Sequence, residues 1–203
     1  MLKIIIKQKQ YYLDHLFPKE NETIPSFRFK NFNGEWKTLL FFDIIQHIKT
    51  GLNPRDNFKL NPNEAKIWYV SSKNINSGIF FDEKTDKINE STFNLINKRS
   101  DLQDDDILFT SIGTVGRMYF IKNFKKEFNI NESVYSIRIK KNIQSIFIYH
   151  YLEVKHIKEK IISECKGSTI KGIRQEELKK ILIKIPNIIE QQKITQLIEE
   201  YNN

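Results

Sequence analysis

The sequence predicts an α/β (α+β) fold, a β-rich central domain with packed helices carried between two terminal amphipathic helices. Three observations support this. Runs of β-branched and aromatic residues alternate with turn signals through the middle of the chain. Segments of helical spacing interrupt and follow those runs, and both ends of the chain carry an apolar stripe at helical period. With 203 residues the chain suits one domain with helical attachments. Its 39% hydrophobic residues, among them 15 Phe, 8 Tyr and 2 Trp, supply a core and exclude disorder throughout.

The first helix is expected over Leu2 to Phe17, where Leu2, Ile5, Ile6, Tyr12, Leu13, Leu16 and Phe17 form a stripe near the 3.5-residue period. Pro18 ends it. Residues 18 to 35 are polar with two prolines and read as a linker that wraps onto the domain through Phe27, Phe29, Phe32 and Trp36. A helix is expected over Leu39 to Lys49. Strands are expected at Ile67 to Val70, Ile79 to Phe81, Ile107 to Ile112, Met118 to Ile121, Val134 to Ile139 and Ile181 to Ile185. A second helix is expected over Ser145 to Glu164, a helix opens near Arg174 to Lys180, and after Pro186 helical spacing resumes from Ile188 to Tyr201. No repeat of 20 to 50 residues is visible.

The longest apolar runs are far below the roughly 20 residues that span a bilayer, so no membrane contact is expected. Lysine interrupts the opening Met1 to Lys7 run and no small-residue cleavage site follows, so no signal peptide is read. Cys165, the one cysteine, excludes an intramolecular disulfide and a cysteine-based zinc site, and a cytoplasmic location is the default expectation. Alanine occurs only at Ala65 while Ile, Lys and Asn abound, a codon bias that inflates the lysine count.

The net charge of +8 is unevenly distributed: +3 over residues 1 to 30, −1 over 31 to 121, +7 over 122 to 174 and −1 over 175 to 203. The basic segment, which includes Lys122, Lys125, Lys126, Arg138, Lys140, Lys141, Lys166, Lys171 and Arg174, is the footprint of a polyanion partner or of a solvated lysine-rich surface. Catalytic motifs are sparse. Asn53-Pro54-Arg55 and Asn61-Pro62-Asn63 lack the second proline and stacking aromatic of an adenine methyltransferase pocket, and read as turn starters. Asp56 with Glu64-Ala65-Lys66 fits a Mg²⁺ nuclease pattern loosely, but Glu35-Trp36-Lys37 and Glu177-Leu178-Lys179 fit its second half too. The four histidines lack metal-ligand spacing. Asp104-Asp105-Asp106 reads as a solvated turn feeding a strand, and Gly113-Thr114-Val115-Gly116-Arg117 as a hairpin turn without the Lys-Ser/Thr ending of a phosphate-binding loop.

Several phrases, taken in order, resemble the specificity subunit of type I restriction-modification systems. Residues 16 to 36 are similar to the junction between that family's conserved spacer helix and its target recognition domain. Val70-Ser71-Ser72-Lys73-Asn74-Ile75 and Asp106 to Arg117 are similar to the domain's inner landmarks. Ile183-Lys184-Ile185-Pro186 followed by Glu190-Gln191-Gln192-Lys193-Ile194 resembles the exit into the next spacer helix.

The resemblance implies a DNA-reading subunit with no active site, bound to double-stranded DNA and assembled with methyltransferase subunits and, through them, restriction subunits. S-adenosylmethionine, ATP and Mg²⁺ would then belong to the partners. It divides this chain into the end of a spacer helix (1–17), one target recognition domain (18–186) and the start of the next spacer helix (187–203), which together form half a specificity subunit. The terminal stripes, with Leu13, Leu16, Ile194, Leu197, Ile198 and Tyr201, would meet each other, a second copy or a second half-subunit, or else pack on the central domain. Residues in phrases shared by proteins that read different sequences cannot choose bases, so Ser72, Lys73, Asn74, Thr110, Ser111, Gly113, Thr114 and Arg117 are expected at the phosphate backbone or in loop geometry. Lys171 and Arg174 are expected at a helix start, where amides and cations suit phosphate. Base readers are expected within Asn53 to Asn63, Asp82 to Arg99 and Lys122 to Asn131. A small Mg²⁺ nuclease using Asp56, Glu64 and Lys66, and a module that binds a methyltransferase without reading DNA, remain as alternatives.

Overall fold

The computed structural model describes residues 2–76 and 78–201, with only the backbone of residues 2–6. Its elements in chain order begin with α1 (Leu2–His15), β1 (Lys37–Leu40), α2 (Phe41–Ile44), β2 (Ile45–Thr50) and β3 (Ile67–Val70). They continue with a 3₁₀ turn (Ser72–Asn74), β4 (Lys87–Ile88), α3 (Glu90–Ser100), β5 (Ile107–Thr110), β6 (Met118–Phe120), β7 (Phe128–Ile130) and β8 (Val134–Ile139). The last are α4 (Ser145–Glu153), α5 (Lys155–Ser163), α6 (Gln175–Lys179), β9 (Leu182–Ile185) and α7 (Ile188–Glu199). The mixed α+β class is as expected. Packing divides the chain into two compact units, one of Met1–Ile44, Ile139–Ser163 and Glu176–Asn203, the other of Ile45–Arg138 and Glu164–Gln175.

In the first unit, β1 pairs antiparallel with β9 from Lys37↔Ile185 to Leu40↔Leu182. Phe17, Trp36, Phe147 and Tyr151 form an aromatic core, with Phe17 at 6.2 Å from Trp36 and 5.4 Å from Phe147, ring centre to ring centre. Phe17 and Tyr151 are almost wholly buried, and truncating a buried phenylalanine costs about 3 to 5 kcal/mol. Side-chain bonds explain the Glu190-Gln191 phrase. Asn187 caps α7 by accepting from the Glu190 amide at 3.0 Å. Glu190 takes a two-pronged bond from Arg28, while Gln191 accepts from the Gln144 amide and donates to the Pro186 carbonyl, each at 3.0 Å. One short segment therefore holds the incoming linker, the start of α4 and the exit of β9.

The second unit contains a four-stranded sheet, β2-β8-β5-β6, and a three-stranded sheet, β4-β3-β7, in which β3 runs antiparallel to β4 and parallel to β7. The alternation of a strand decides what each β3 residue covers. Trp68 and Val70 pack with Leu108, Ile130 and Val134, whereas Ile67 and Tyr69 pack with Ile88 and with Phe93 and Ile96 of α3. Both faces are covered, and so the run is apolar without interruption. Gly51 permits a close crossing, because a Cβ there would stand 1.6 Å from the Ile130 carbonyl oxygen.

Four expectations need correction. Leu39 to Lys49 is not a helix: one turn, α2, links two strands, and the β-branched Ile45, Ile48 and Thr50 fit the extended edge better than a helical face. The helix expected over 145 to 164 breaks at Val154, a buried β-branched residue with φ −60° and ψ 134°. Ile79 makes a single bridge to Ile75, and no strand forms over Ile79 to Phe81. Asp106 is not solvated. Its side chain is fully buried and accepts from Arg138 Nε at 2.8 Å and Nη2 at 2.9 Å, from Ser136 Oγ at 3.0 Å and from the Gln103 amide at 3.0 Å. Arg138, which also bonds Asp101 at 3.1 Å, therefore serves the fold and leaves the presumed polyanion footprint. Of the stripe of α1, the side chains of Leu2, Ile5 and Ile6 lie outside the described residues.

Candidate nucleic-acid interface

Loops distant in sequence meet at one edge of the second unit. The turn at Ser71 to Ile75 is set by a capping box: Ser71 Oγ accepts from the Lys73 amide, and Asn74 Oδ1 accepts from the Ser71 amide at 2.9 Å. The Asn74 amide group donates to Phe80 O at 3.3 Å and Thr85 Oγ1 at 3.2 Å. Asn74 is thus engaged in the loop itself. The β5–β6 hairpin closes through Thr110, whose hydroxyl donates to the Thr114 carbonyl and accepts from the Arg117 amide at 2.9 Å. Ser111 also faces inward, with its amide at 2.8 Å and hydroxyl at 3.0 Å from the Ser133 carbonyl. The hairpin reading of Gly113 to Arg117 agrees with this geometry.

Ser133 joins these loops, and the sequence reading missed it. Its hydroxyl accepts from the Ser72 amide at 3.2 Å and donates to Asn131 Oδ1 at 2.6 Å. The available signal was Asn131-Glu132-Ser133 between two apolar runs, a side-chain-closed Asx turn. A further loop arrives through Gly172, which bridges to Ile112 and Lys166. The Gly113 amide donates to the Lys171 carbonyl and the Ile173 amide to the Ser111 carbonyl, both at 2.9 Å. Arg117 Nη1 reaches the Ile75 carbonyl at 3.5 Å.

The ten expected residues therefore separate by what their side chains do. Asn74, Thr110 and Ser111 hold the loops together. Lys73, Gly113, Thr114, Lys171 and Arg174 are exposed, and Ser72 and Arg117 are half-buried at the same edge. This edge offers backbone amides, hydroxyls and cations, which are the groups that meet phosphate. Lys171 is not at a helix start but in the bridged loop. Arg174 precedes α6, a five-residue helix whose first turn carries Glu176 and Glu177, and those carboxylates oppose an anion there. Among the segments expected to read bases, Phe128 to Ile130 is buried and Asn129 is wholly enclosed, bonded to Ser100 Oγ at 2.8 Å.

Asp56, Glu64 and Lys66 are each exposed, and Glu64 and Lys66 line a cleft with Glu90 and Lys126 that Asp56 does not line. Among the described residues no three His, Cys, Asp or Glu side chains stand together as a metal site. No helix among the described residues is long and apolar enough to cross a membrane. The six terminal-stripe residues lie in the first unit, where Leu13, Leu16, Ile194 and Ile198 are buried and Leu197 and Tyr201 are half-buried. α1 meets the turn after α7 through the Tyr12 and Tyr201 hydroxyls at 3.5 Å. The four buried side chains are thus covered within the chain, which leaves Leu197 and Tyr201 as the partly open members of these six.

A family model described as type I restriction modification DNA specificity domain matches residues 33–203. The fold is similar to that of the HsdS subunit from Thermoanaerobacter tengcongensis, with TM-score 0.60 and 13% identity over 99% of this chain and 44% of that one. A chain from a structure of the assembly and conformational transition of the type I R-M system gives TM-score 0.64 and 14% identity over 99% of this chain and 45% of that one. The type I restriction-modification S subunit from M. genitalium gives TM-score 0.59 and 17% identity, over 86% and 40%. This chain thus spans less than half the length of these structural relatives. No curated protein sequence matches it.

Proposed function

Because this chain belongs to the type I restriction modification DNA specificity domain family, we propose that it reads one half of a bipartite duplex DNA target and carries out no catalysis of its own. The observation that carries this reading is the meeting of the 71–75, 110–117, 131–133 and 171–173 loops at one edge, where Lys73, Gly113, Thr114 and Lys171 are exposed and Ser72 and Arg117 half-buried. Phosphate contact at that edge fixes register without choosing sequence, and neighbouring variable loops choose bases. Arg174 adds a cation near the same loops.

In this reading residues 18–186 are the recognition domain, and 1–17 and 187–203 are parts of spacer helices. Methyltransferase subunits, and restriction subunits through them, dock on the assembled protein in the cytoplasm and bring S-adenosylmethionine, ATP and Mg²⁺ with them. The other half of the target is read by a second copy or a second half-subunit. Selection of randomised duplexes by the purified chain tests the central point. Enrichment of one short sequence supports the function. Cleavage of plasmid DNA by the chain would replace it with nuclease activity, and binding that vanishes at moderate salt without any enriched sequence would replace it with a protein-docking module.

A further inference from the structure

Phe80 is a large apolar side chain left in water on a loop held from both sides. It is 60% exposed, whereas its neighbour Phe81 lies flat on Trp68 with ring centres 5.0 Å apart and planes at 4°. The Phe80 amide donates to the Asn74 carbonyl at 2.9 Å, and its carbonyl accepts from the Asn74 side chain. Downstream, the Asp82 amide donates to Thr85 Oγ1 at 3.0 Å, and Asp82 Oδ1 accepts from the Lys84 amide at 3.0 Å and Thr85 Oγ1 at 2.9 Å. Thr85 is buried. The backbone at Phe80 and just after it is thus tied by hydrogen bonds.

The ring lines a groove of about 670 Å³ together with Ser72, Lys73, Lys84 and Ser133. Ser72 and Lys73 belong to the candidate DNA edge, so the groove continues that surface, and Lys73 and Lys84 bring cations to it. Asp82, Asp86 and Glu132 also line it; Asp82 is engaged in its own turn and Asp86 accepts from Asn61 Nδ2 at 2.7 Å, so the ring rather than the charge of the groove is what suits a base. An exposed aromatic side chain in a groove that also holds lysines suits a nucleobase, since every base offers a π face and an apolar side chain can enter and unstack a base step.

We propose that Phe80 is a wedge that stacks on a base at one step of the bound duplex, with Lys73 and Lys84 on the flanking phosphates. The proposal rests on the DNA-reading function above. Its test places 2-aminopurine at successive positions of a duplex bound by the wild-type chain and compares Phe80→Ala and Phe80→Trp. Wild-type binding should raise 2-aminopurine fluorescence at one step. Phe80→Ala should abolish that rise and weaken binding about tenfold, with no change in salt slope because no cation is lost. Phe80→Trp should restore the affinity. Unchanged affinity and fluorescence in Phe80→Ala, or weaker binding with the fluorescence rise intact, would overturn the wedge. If the wild-type chain binds no duplex, the DNA-reading function itself falls, a result distinct from a failure of Phe80 alone.

Discussion

The Gly113 amide donates to the Lys171 carbonyl at 2.9 Å, joining the tip of the β5–β6 hairpin to a loop almost sixty residues further along the chain. Gly113 sits at φ +83°, a conformation that L side chains rarely adopt, while the space its Cβ would occupy is open apart from Ser72 Oγ at 3.7 Å. Gly113→Ala therefore strains the backbone without a clash and should cost roughly 1 to 2 kcal/mol. Thermal denaturation should show the loss, and DNA titrations should show weaker binding to every sequence, since both cation-bearing loops shift together.

Side chains that hold the edge and side chains that meet phosphate should respond differently. Arg117→Ala and Lys73→Ala should weaken binding to all duplexes and each reduce the salt slope by about one. Thr110→Val should destabilise the fold by about 1 to 3 kcal/mol, because the Arg117 amide loses its acceptor, yet leave the salt slope unchanged. Binding titrations across salt concentrations separate the two classes. An unchanged slope in Arg117→Ala would remove it from the phosphate contacts.

Arg28 and Glu190 form a buried pair, with Nε to Oε1 at 2.8 Å and Nη2 to Oε2 at 2.9 Å. Glu190→Ala leaves the guanidinium without its carboxylate and should cost about 3 to 5 kcal/mol. Chemical denaturation should register the loss in the first unit, and limited proteolysis should find cleavage within residues 18 to 35, because Arg28 also holds Asn33 O and Gly34 O.

Acid should destabilise the protein in two stages. Burial lowers the His47 pKa, with Arg138 and Lys49 acting the same way, and burial together with Lys184 lowers that of His156. Folded values below the unfolded value of about 6.5 mean that this stability is complete above that pH and lost as pH falls through the folded values. Burial raises the Asp101 and Glu153 values, but the Lys49 bond and Arg138 charge at Asp101, and the nearby His150 ring and Lys9 ammonium at Glu153, outweigh it and hold both carboxyls below their usual range. Their contribution is lost at lower pH, below about 4. Melting temperature against pH should show both declines, and His47→Asn with His156→Asn should remove the upper one.

The chain as half of a symmetric reader predicts two copies in solution. Sedimentation equilibrium at high micromolar concentration should give twice the 24.3 kDa chain mass. Since Leu13, Leu16, Ile194 and Ile198 are buried in the chain, Leu197→Asp is the variant expected to separate the copies. A single-chain mass for the wild type would leave the second half of the target to a different protein.

Strands whose covering partners are strongly apolar were legible in the sequence: β3, β5 and β6 read as nearly continuous apolar or aromatic runs, and β8 and β9 as β-branched and aromatic runs interrupted only by Ser136 and Arg138 and by Lys184. β2 was not, because Leu39 to Lys49 places its apolar residues at spacings that fit a helix as well as a turn followed by an extended edge. The break at Val154 depends on what packs against it, which periodicity does not carry. At the candidate site, the family phrases marked loops that meet at one edge but could not separate Asn74, Thr110 and Ser111, which bond inward, from Lys73 and Arg117, because hydroxyl and amide side chains serve both roles. Asp106 and Arg138 looked solvated in a charge count, and only their position across β5 and β8 makes them a buried pair.

Methylome sequencing of cells with and without the gene tests the central claim most directly. Sequence-specific DNA reading for a type I methyltransferase predicts that one bipartite methylated motif disappears with the gene and returns with the wild-type chain, while Arg117→Ala restores the same motif at lower occupancy. A methylome that is identical with and without the chain would contradict the account.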